Sequence, residues 1–308
     1  MEYVLQTHGL TKKYKNRPAV DRADINVRRG DIYGFVGENG SGKTTVIRLI
    51  SGLIFPDGGD FELFGVNSRS SGIVRARKKL GAIVETPSIY RNMSAYDNLK
   101  MQAGLLGISD DSRIRATLET VGLGELENDK KRAGNFSLGM RQRLGIAMAL
   151  LGEPELLILD EPMNGLDPAG IVEIRELILK LNREKGMSFL ISSHILTELS
   201  LVATKYGIIS HGHVIREITA EELHAECGRL TFIRTDSDEK LLSLLSRELP
   251  GVPAAPDARG VKISGEIDLD GLLRRIIAED IHIQSVNCTD MGFEEYYLSL
   301  VGGGVKRG

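Results

Sequence analysis

A chain of 308 residues with 42% hydrophobic and 26% charged side chains has room for one large globular domain and a smaller one, which sets disordered and fibrous classes aside. Its net charge of −3 supplies no global basic field for nucleic acid, and no stretch free of Asp, Glu, Lys and Arg is long and apolar enough to span a bilayer. The two cysteines, Cys227 and Cys288, lack CxxC spacing, and the start MEYVLQTHGLTKKY has no signal-peptide progression, so reduced thiols and a cytoplasmic location are expected.

In chain order, residues 4–7 and 23–27 read as short strands, and Arg29-Gly30-Asp31 as the turn feeding the apolar strand Ile32–Val36. Residues 45–51 continue as a helix that Gly52 caps. From 94 to about 126 the apolar residues Leu99, Ala103, Leu106, Ile114, Leu118 and Val121 fall at helical spacing, so a helical subdomain at about 90–150 is expected to interrupt the core. Residues 137–151 read as an amphipathic helix, 156–159 as a parallel strand buried on both faces, 171–185 as a helix, 188–192 as a strand and 195–206 as a helix. That alternation predicts an α/β core with a parallel sheet over 1–215. Beyond 216, strands at 230–235, 261–264 and 281–287 alternate with helices at 238–249 and 269–279 around a loop at 250–256. These predict a small α+β appendage of ferredoxin-like kind over 216–308, with a frayed tail at 302–308. No repeat or sustained heptad occurs.

The chemistry is concentrated at two strand ends. Gly37-Glu38-Asn39-Gly40-Ser41-Gly42-Lys43-Thr44 follows the strand Ile32–Val36 as a complete phosphate-binding loop, which makes a nucleoside triphosphate the first ligand to expect. Its glycines let backbone N–H groups curl around phosphates while the following helix points its positive end at them. Lys43 adds a point charge for the outer phosphates and Thr44 a hydroxyl for magnesium. Asp160 and Glu161 close the buried run from Leu156, at the strand end where α/β sheets bind ligands. Asp160 is expected to hold the magnesium shell, and Glu161 to polarise the attacking water. The alternating His211 and His213 read as a hairpin turn rather than a metal site.

Asn135-Phe136-Ser137-Leu138-Gly139-Met140-Arg141-Gln142-Arg143 resembles the signature motif of ATP-binding cassette ATPases, usually LSGGQ and here FSLGM. Asn164-Gly165-Leu166-Asp167 is similar to the family's D-loop, His194 to its switch histidine and Tyr14 to its adenine-stacking aromatic residue. The resemblance covers residues 1 to about 215. It implies a P-loop NTPase fold, ATP with Mg2+, nucleotide contacts that also include Val20 and Thr45, and His194 beside Glu161 in catalysis. Two cassettes are then expected to pair, as a homodimer or with a related cassette, each ATP lying between one phosphate loop and the partner's Ser137, Gly139 and Met140. A separate integral-membrane permease is expected in the groove near residues 85–97, which would hold the chain at the inner face of the membrane. Ile83-Val84-Glu85-Thr86-Pro87, Tyr96-Asp97-Asn98-Leu99 and SLGMRQRLGIA resemble the bacitracin and lantibiotic branch of peptide and drug exporters. A permease-free ATPase of DNA repair or translation is the alternative. Most cassettes carry a metal-contacting glutamine at the position of Glu85; here no glutamine lies between Gln6 and Gln102, so Glu85 is expected to meet the magnesium instead.

Overall fold

The computed structural model describes residues 2–15, 17–227, 229–265, 267–290 and 292–302. The expected frayed tail lies outside the described residues except for Gly302. The chain divides into two compact units, 1–220 and 221–308.

The first unit opens with strands β1 (Tyr3–Tyr14), β2 (Arg17–Ala23) and β3 (Asn26–Arg28), then β4 (Ile32–Val36), helix α1 (Lys43–Ser51), β5 (Gly58–Leu63), β6 (Val66–Asn67), α2 (Ile73–Arg77) and β7 (Leu80–Ile83). Helices α3 (Ala95–Leu106), α4 (Asp111–Thr120) and α5 (Leu138–Leu150) follow, then β8 (Leu156–Asp160), α6 (Pro168–Lys185), β9 (Ser188–Ser193), α7 (Leu196–Leu199), β10 (Lys205–Ser210) and β11 (His213–Thr219). One sheet runs β2-β1-β5-β6 with β3 beside β1; the other runs β11-β10-β4-β9-β8-β7, parallel except for β11. Leu5 and Phe61 of the first sheet, Val46 and Ile47 of α1, and Phe35 and Ile158 of the second share one buried cluster. The helix leaving the phosphate loop is thereby fixed between the sheets. Glu217 accepts from the Tyr33 hydroxyl at 2.8 Å and the Asn26 amide at 2.8 Å and pairs with Lys205 at 3.1 Å, tying β3, β4, β10 and β11 together. Burial beside Glu217 raises the Tyr33 phenol well above its ordinary pKa.

Two expectations for this unit change. The strand expected at 23–27 is split between β2 and β3, because the buried Thr7 hydroxyl donates to Ala23 O and accepts from Ile25 N, each at 2.8 Å, and spans the break. The helix expected at 195–206 stops at Leu199, and Tyr206 lies in β10 opposite Gly34 of β4. Pairing with the central sheet, begun by Thr204 N–H on Ile32 O at 2.8 Å, overrides the local helical pattern.

Ser94, Asp110 and Ser137 cap α3, α4 and α5 through side-chain oxygens, which fixes where each helix starts. Gly145 of α5 lies so close to the segment after β7 that an added Cβ would stand 2.5 Å from Pro87 Cβ. No helix among the described residues is long and apolar enough to cross a membrane.

The second unit begins within helix α8 (Ala220–Glu226) and runs β12 (Arg229–Thr235), α9 (Asp238–Glu248), β13 (Ala254–Asp257), β14 (Gly260–Ser264), α10 (Leu269–Ala278), β15 (Ile283–Asp290) and α11 (Phe293–Gly302). Its antiparallel sheet has the order β13-β14-β12-β15, the ferredoxin-like βαββαβ arrangement. Ile233, Val261 and Ile263 meet Leu241, Leu245 and Ile276 of the two inner helices in one core. Phe232 points to the other face, where the Arg259 guanidinium lies 3.5 Å from its ring centroid. Glu295 of α11 pairs with Arg259 at 3.7 Å and Lys262 at 3.6 Å. The loop expected at 250–256 contains the start of β13; Pro256 is tolerated there because β13 is an edge strand.

The contrast between Gly145 and Gly104 is testable. Gly145→Ala forces a methyl into Pro87 and is expected to cost about 1–3 kcal/mol, beyond its gain in helix propensity. Gly104→Ala, where nothing lies within 4 Å of the new Cβ, is expected to stabilise by about 0.5–1 kcal/mol. Thermal melts of the two variants should move in opposite directions.

Candidate active site

Three neighbouring parallel strands deliver the expected residues to one edge. Asp160 of β8 lies opposite Ser192 of β9, and Val36 of β4 opposite Ser193. The phosphate loop, Glu161 and His194 therefore leave the sheet side by side at its C-terminal edge.

The loop is built for an anion. Gly42 has φ 113, and a Cβ there would stand 2.5 Å from Ala19 O, so the turn accepts only glycine. Unlike α3, α4, α5 and α6, which have Ser94, Asp110, Ser137 and Asp167 as caps, α1 starts with no side-chain cap on its first N–H groups. Those donors suit phosphate oxygens. The buried Ser41 Oγ likewise has no hydrogen-bond partner among the described residues. Lys43 is buried, and its ammonium donates to Gly37 O at 2.6 Å and Glu38 O at 3.1 Å while standing 3.3 Å from Glu161 Oε1. Glu38, Asn39 and Gly40 form the exposed tip of the loop, and Thr44 and Thr45 are half-buried on α1.

Glu161 is held from several sides. Its φ of 51 is unusual for a residue with a side chain, and its N–H donates to Ser192 Oγ at 3.0 Å and to Ser192 O at 3.2 Å. The same Ser192 hydroxyl donates to the Asp160 carboxylate, which is 1% exposed. The second Glu161 oxygen, Oε2, lies 2.7 Å from His194 Nδ1. One carboxylate thus bridges the phosphate-loop lysine and the histidine after β9, where it can face both a terminal phosphate and a water. Asp160 and Thr44 offer oxygen donors only, and a hard cation that takes one or two protein oxygens and completes its shell from phosphate and water fits that set.

The other expected residues lie outside the cluster of Lys43, Glu161 and His194. Tyr14 and Val20 share the β1–β2 hairpin; Tyr14 is 46% exposed with Lys12 Nζ 5.9 Å from its ring centroid, while Val20 is buried against the position a Gly42 Cβ would take. Ser137 caps α5 by accepting from Met140 N at 3.2 Å. No hydrogen bond or ion pair among the described residues joins Ser137, Gly139 or Met140 to the phosphate loop. The nearest heavy atoms to a Cβ on Gly139 would be 3.9 and 4.0 Å away, so packing within this chain does not require a glycine there. Glu85, with φ 65, carries an ion pair to Arg48 of α1. Sequence reading missed Ser192 and Arg48. The pair Ser192-Ser193 in a wholly buried strand was the available signal for the first, and the position one turn beyond Thr44 for the second.

Ser192→Ala removes the acceptor for Glu161 N–H and the donor to Asp160 together. It is expected to cost about 1–3 kcal/mol of stability and to lower ATP turnover more than ATP affinity. Melting curves, nucleotide titration and phosphate release check this; unchanged turnover would detach the hydroxyl from the site.

The family model described as ABC transporter matches residues 20–164. The bacitracin transport ATP-binding protein BcrA of Bacillus licheniformis is 40% identical over 308 residues, covering 99% of this chain and 99% of the relative. The lantibiotic transport ATP-binding protein SrtF of Streptococcus pyogenes is 43% identical over 215 residues, covering 70% of this chain and 90% of the relative. Among solved structures, cbiO1 from Clostridium perfringens, part of the ABC transporter complex cbiONQ, matches with a TM-score of 0.65 at 26% identity over 81% of this chain and 97% of that one. Relatives named for transport favour the transporter reading over the repair or translation ATPase that the sequence left as its alternative. By its cassette fold, its converging strand ends and a likeness that runs the length of the chain, this protein belongs to the ATP-binding cassette family of transporter ATPases.

Proposed function

We propose that this chain hydrolyses ATP to drive an exporter of antimicrobial peptides or drugs, acting at the inner face of the cell membrane through a separate permease. The convergence of Lys43, Glu161 and His194 carries the hydrolytic part of this reading. The export part is supported by the full-length likeness to a bacitracin transport protein, which extends through residues 221–308. That C-terminal unit, beyond a cassette with its helical subdomain, serves as an accessory domain.

In this reading the α1 N-terminus, Ser41 and Lys43 bind the phosphates, with Gly37, Glu38, Asn39, Gly40 and Gly42 shaping the loop and Thr45 completing it. Tyr14 and Val20 flank the base. Thr44, Asp160 and Glu85 hold Mg2+, which supplies Lewis-acid neutralisation of the phosphate oxygens when bound. Glu161 takes the proton of the attacking water, and His194 orients that carboxylate through its Nδ1 contact. Ser137, Gly139 and Met140 act across a dimer on the partner's nucleotide, which gives the uncrowded Gly139 a reason to lack a side chain. A groove of about 450 Å³ beside β7, α3 and α5, with Leu53, Val84, Pro87, Leu106 and Met148 among its lining residues, receives the permease. Its walls belong to the segment that carries Glu85 and to the signature helix, so nucleotide chemistry and docking share elements.

Ser137→Arg should leave ATP binding to the monomer intact and abolish ATP-driven dimers, read by light scattering; normal dimers would end the composite-site reading. In a bacitracin-sensitive host with its permease, the chain should raise the tolerated antibiotic concentration and Lys43→Ala should not. Equal tolerance with both would overturn the proposed export of that antibiotic.

A further inference from the structure

The Glu85 carboxylate is committed to a cation of the protein itself. Arg48 Nη2 donates to Glu85 Oε1, and among the described residues Arg48 pairs with no other carboxylate. Arg48 lies four residues after Thr44 on α1, one helical turn further along the same face. Its backbone therefore stands one turn behind that of the threonine assigned to the metal. Both side chains are partly exposed, 37% for Arg48 and 57% for Glu85, so the pair is open to exchange. Glu85 also has a positive φ, a backbone state that persists only where neighbours hold it.

A carboxylate placed near a triphosphate adds repulsion that an amide would not. An arginine on the phosphate-loop helix offsets that charge. The same arginine competes with a metal for the carboxylate oxygens, because Glu85 on Arg48 and Glu85 on magnesium are two different positions of one side chain. We propose that Arg48 is the positioning residue of Glu85: it holds the carboxylate against α1 and yields it only to magnesium-bound nucleotide, and so sets how strongly nucleotide binding depends on magnesium. This rests on the assignment of Glu85 to the metal given above. Glu85 lies two residues before Pro87, which touches Gly145 of α5, so the exchange moves a segment that lines the permease groove.

The test is the ratio of ATP affinities with saturating magnesium and with EDTA, measured on the full chain with a fluorescent ATP analogue. Arg48→Gln should raise the ratio about two- to five-fold, the range for a partly exposed ion pair. Arg48→Lys, which keeps the charge, should stay close to the unsubstituted chain. In a Glu85→Gln background, Arg48→Gln should change nothing further. Melting temperatures of all variants report whether the fold is intact. If Glu85→Ala lowers the ratio but Arg48→Gln has the same effect in the unsubstituted and Glu85→Gln backgrounds, or none in either, the proposal for Arg48 is overturned while the metal assignment of Glu85 stands. If Glu85→Ala, which removes every side-chain oxygen, leaves the ratio unchanged, the metal assignment fails and the proposal with it.

Discussion

Side-by-side parallel pairing of β4, β9 and β8 is the constraint on which the rest of this molecule depends. Each strand is buried on both faces, so its register is fixed by packing as well as by ladder hydrogen bonds. The pairing of Val36 with Ser193 and of Asp160 with Ser192 then decides that three chain segments emerge level with one another. A slip of one strand by a single residue would turn Asp160 away and carry Glu161 out of reach of Lys43. Ser192 makes the register chemical as well as geometric, because its hydroxyl serves both members of the carboxylate pair. Rigid positioning of this kind is what phosphoryl transfer chiefly asks of a protein.

The buried lysine shows how the site is balanced. Two loop carbonyls and the Glu161 carboxylate surround its ammonium at 2.6, 3.1 and 3.3 Å, so the charge is satisfied within the protein. A terminal phosphate would compete for the same ammonium and leave Glu161 with His194 and water. In the proposed mechanism the lysine that meets the phosphate and the carboxylate that acts on water are thus in direct contact. Further out, Pro87 against Gly145 links the segment bearing Glu85 to the helix that Ser137 begins. Both walls of the groove therefore belong to elements that also carry expected site residues.

Much of the cassette was legible because its signals are local. The phosphate loop declares itself within eight residues, and the apolar run ending in Asp160-Glu161 marks a strand end without knowledge of its neighbours. Caps such as Ser94 and Ser137 fell where helices began. What could not be read depends on partners distant in sequence. Residues 205 and 206 end the expected helix yet pair with β4, and 254–257 hide an edge strand behind two prolines. The break between β2 and β3 is set by Thr7, and the partner of Glu85 by a helix that starts 42 residues earlier. Helix α11 left no expectation; its Glu295 pairs with Arg259 and with Lys262 of β14.

The central claim is that Glu161, held between Lys43 and His194, takes the proton of the attacking water. Single-turnover phosphate release by Glu161→Gln measures it most directly, because the amide keeps the shape and loses the base. The account predicts retained Mg-ATP binding with release slowed by about 10²–10⁴-fold. Release at the rate of the unsubstituted chain would contradict it.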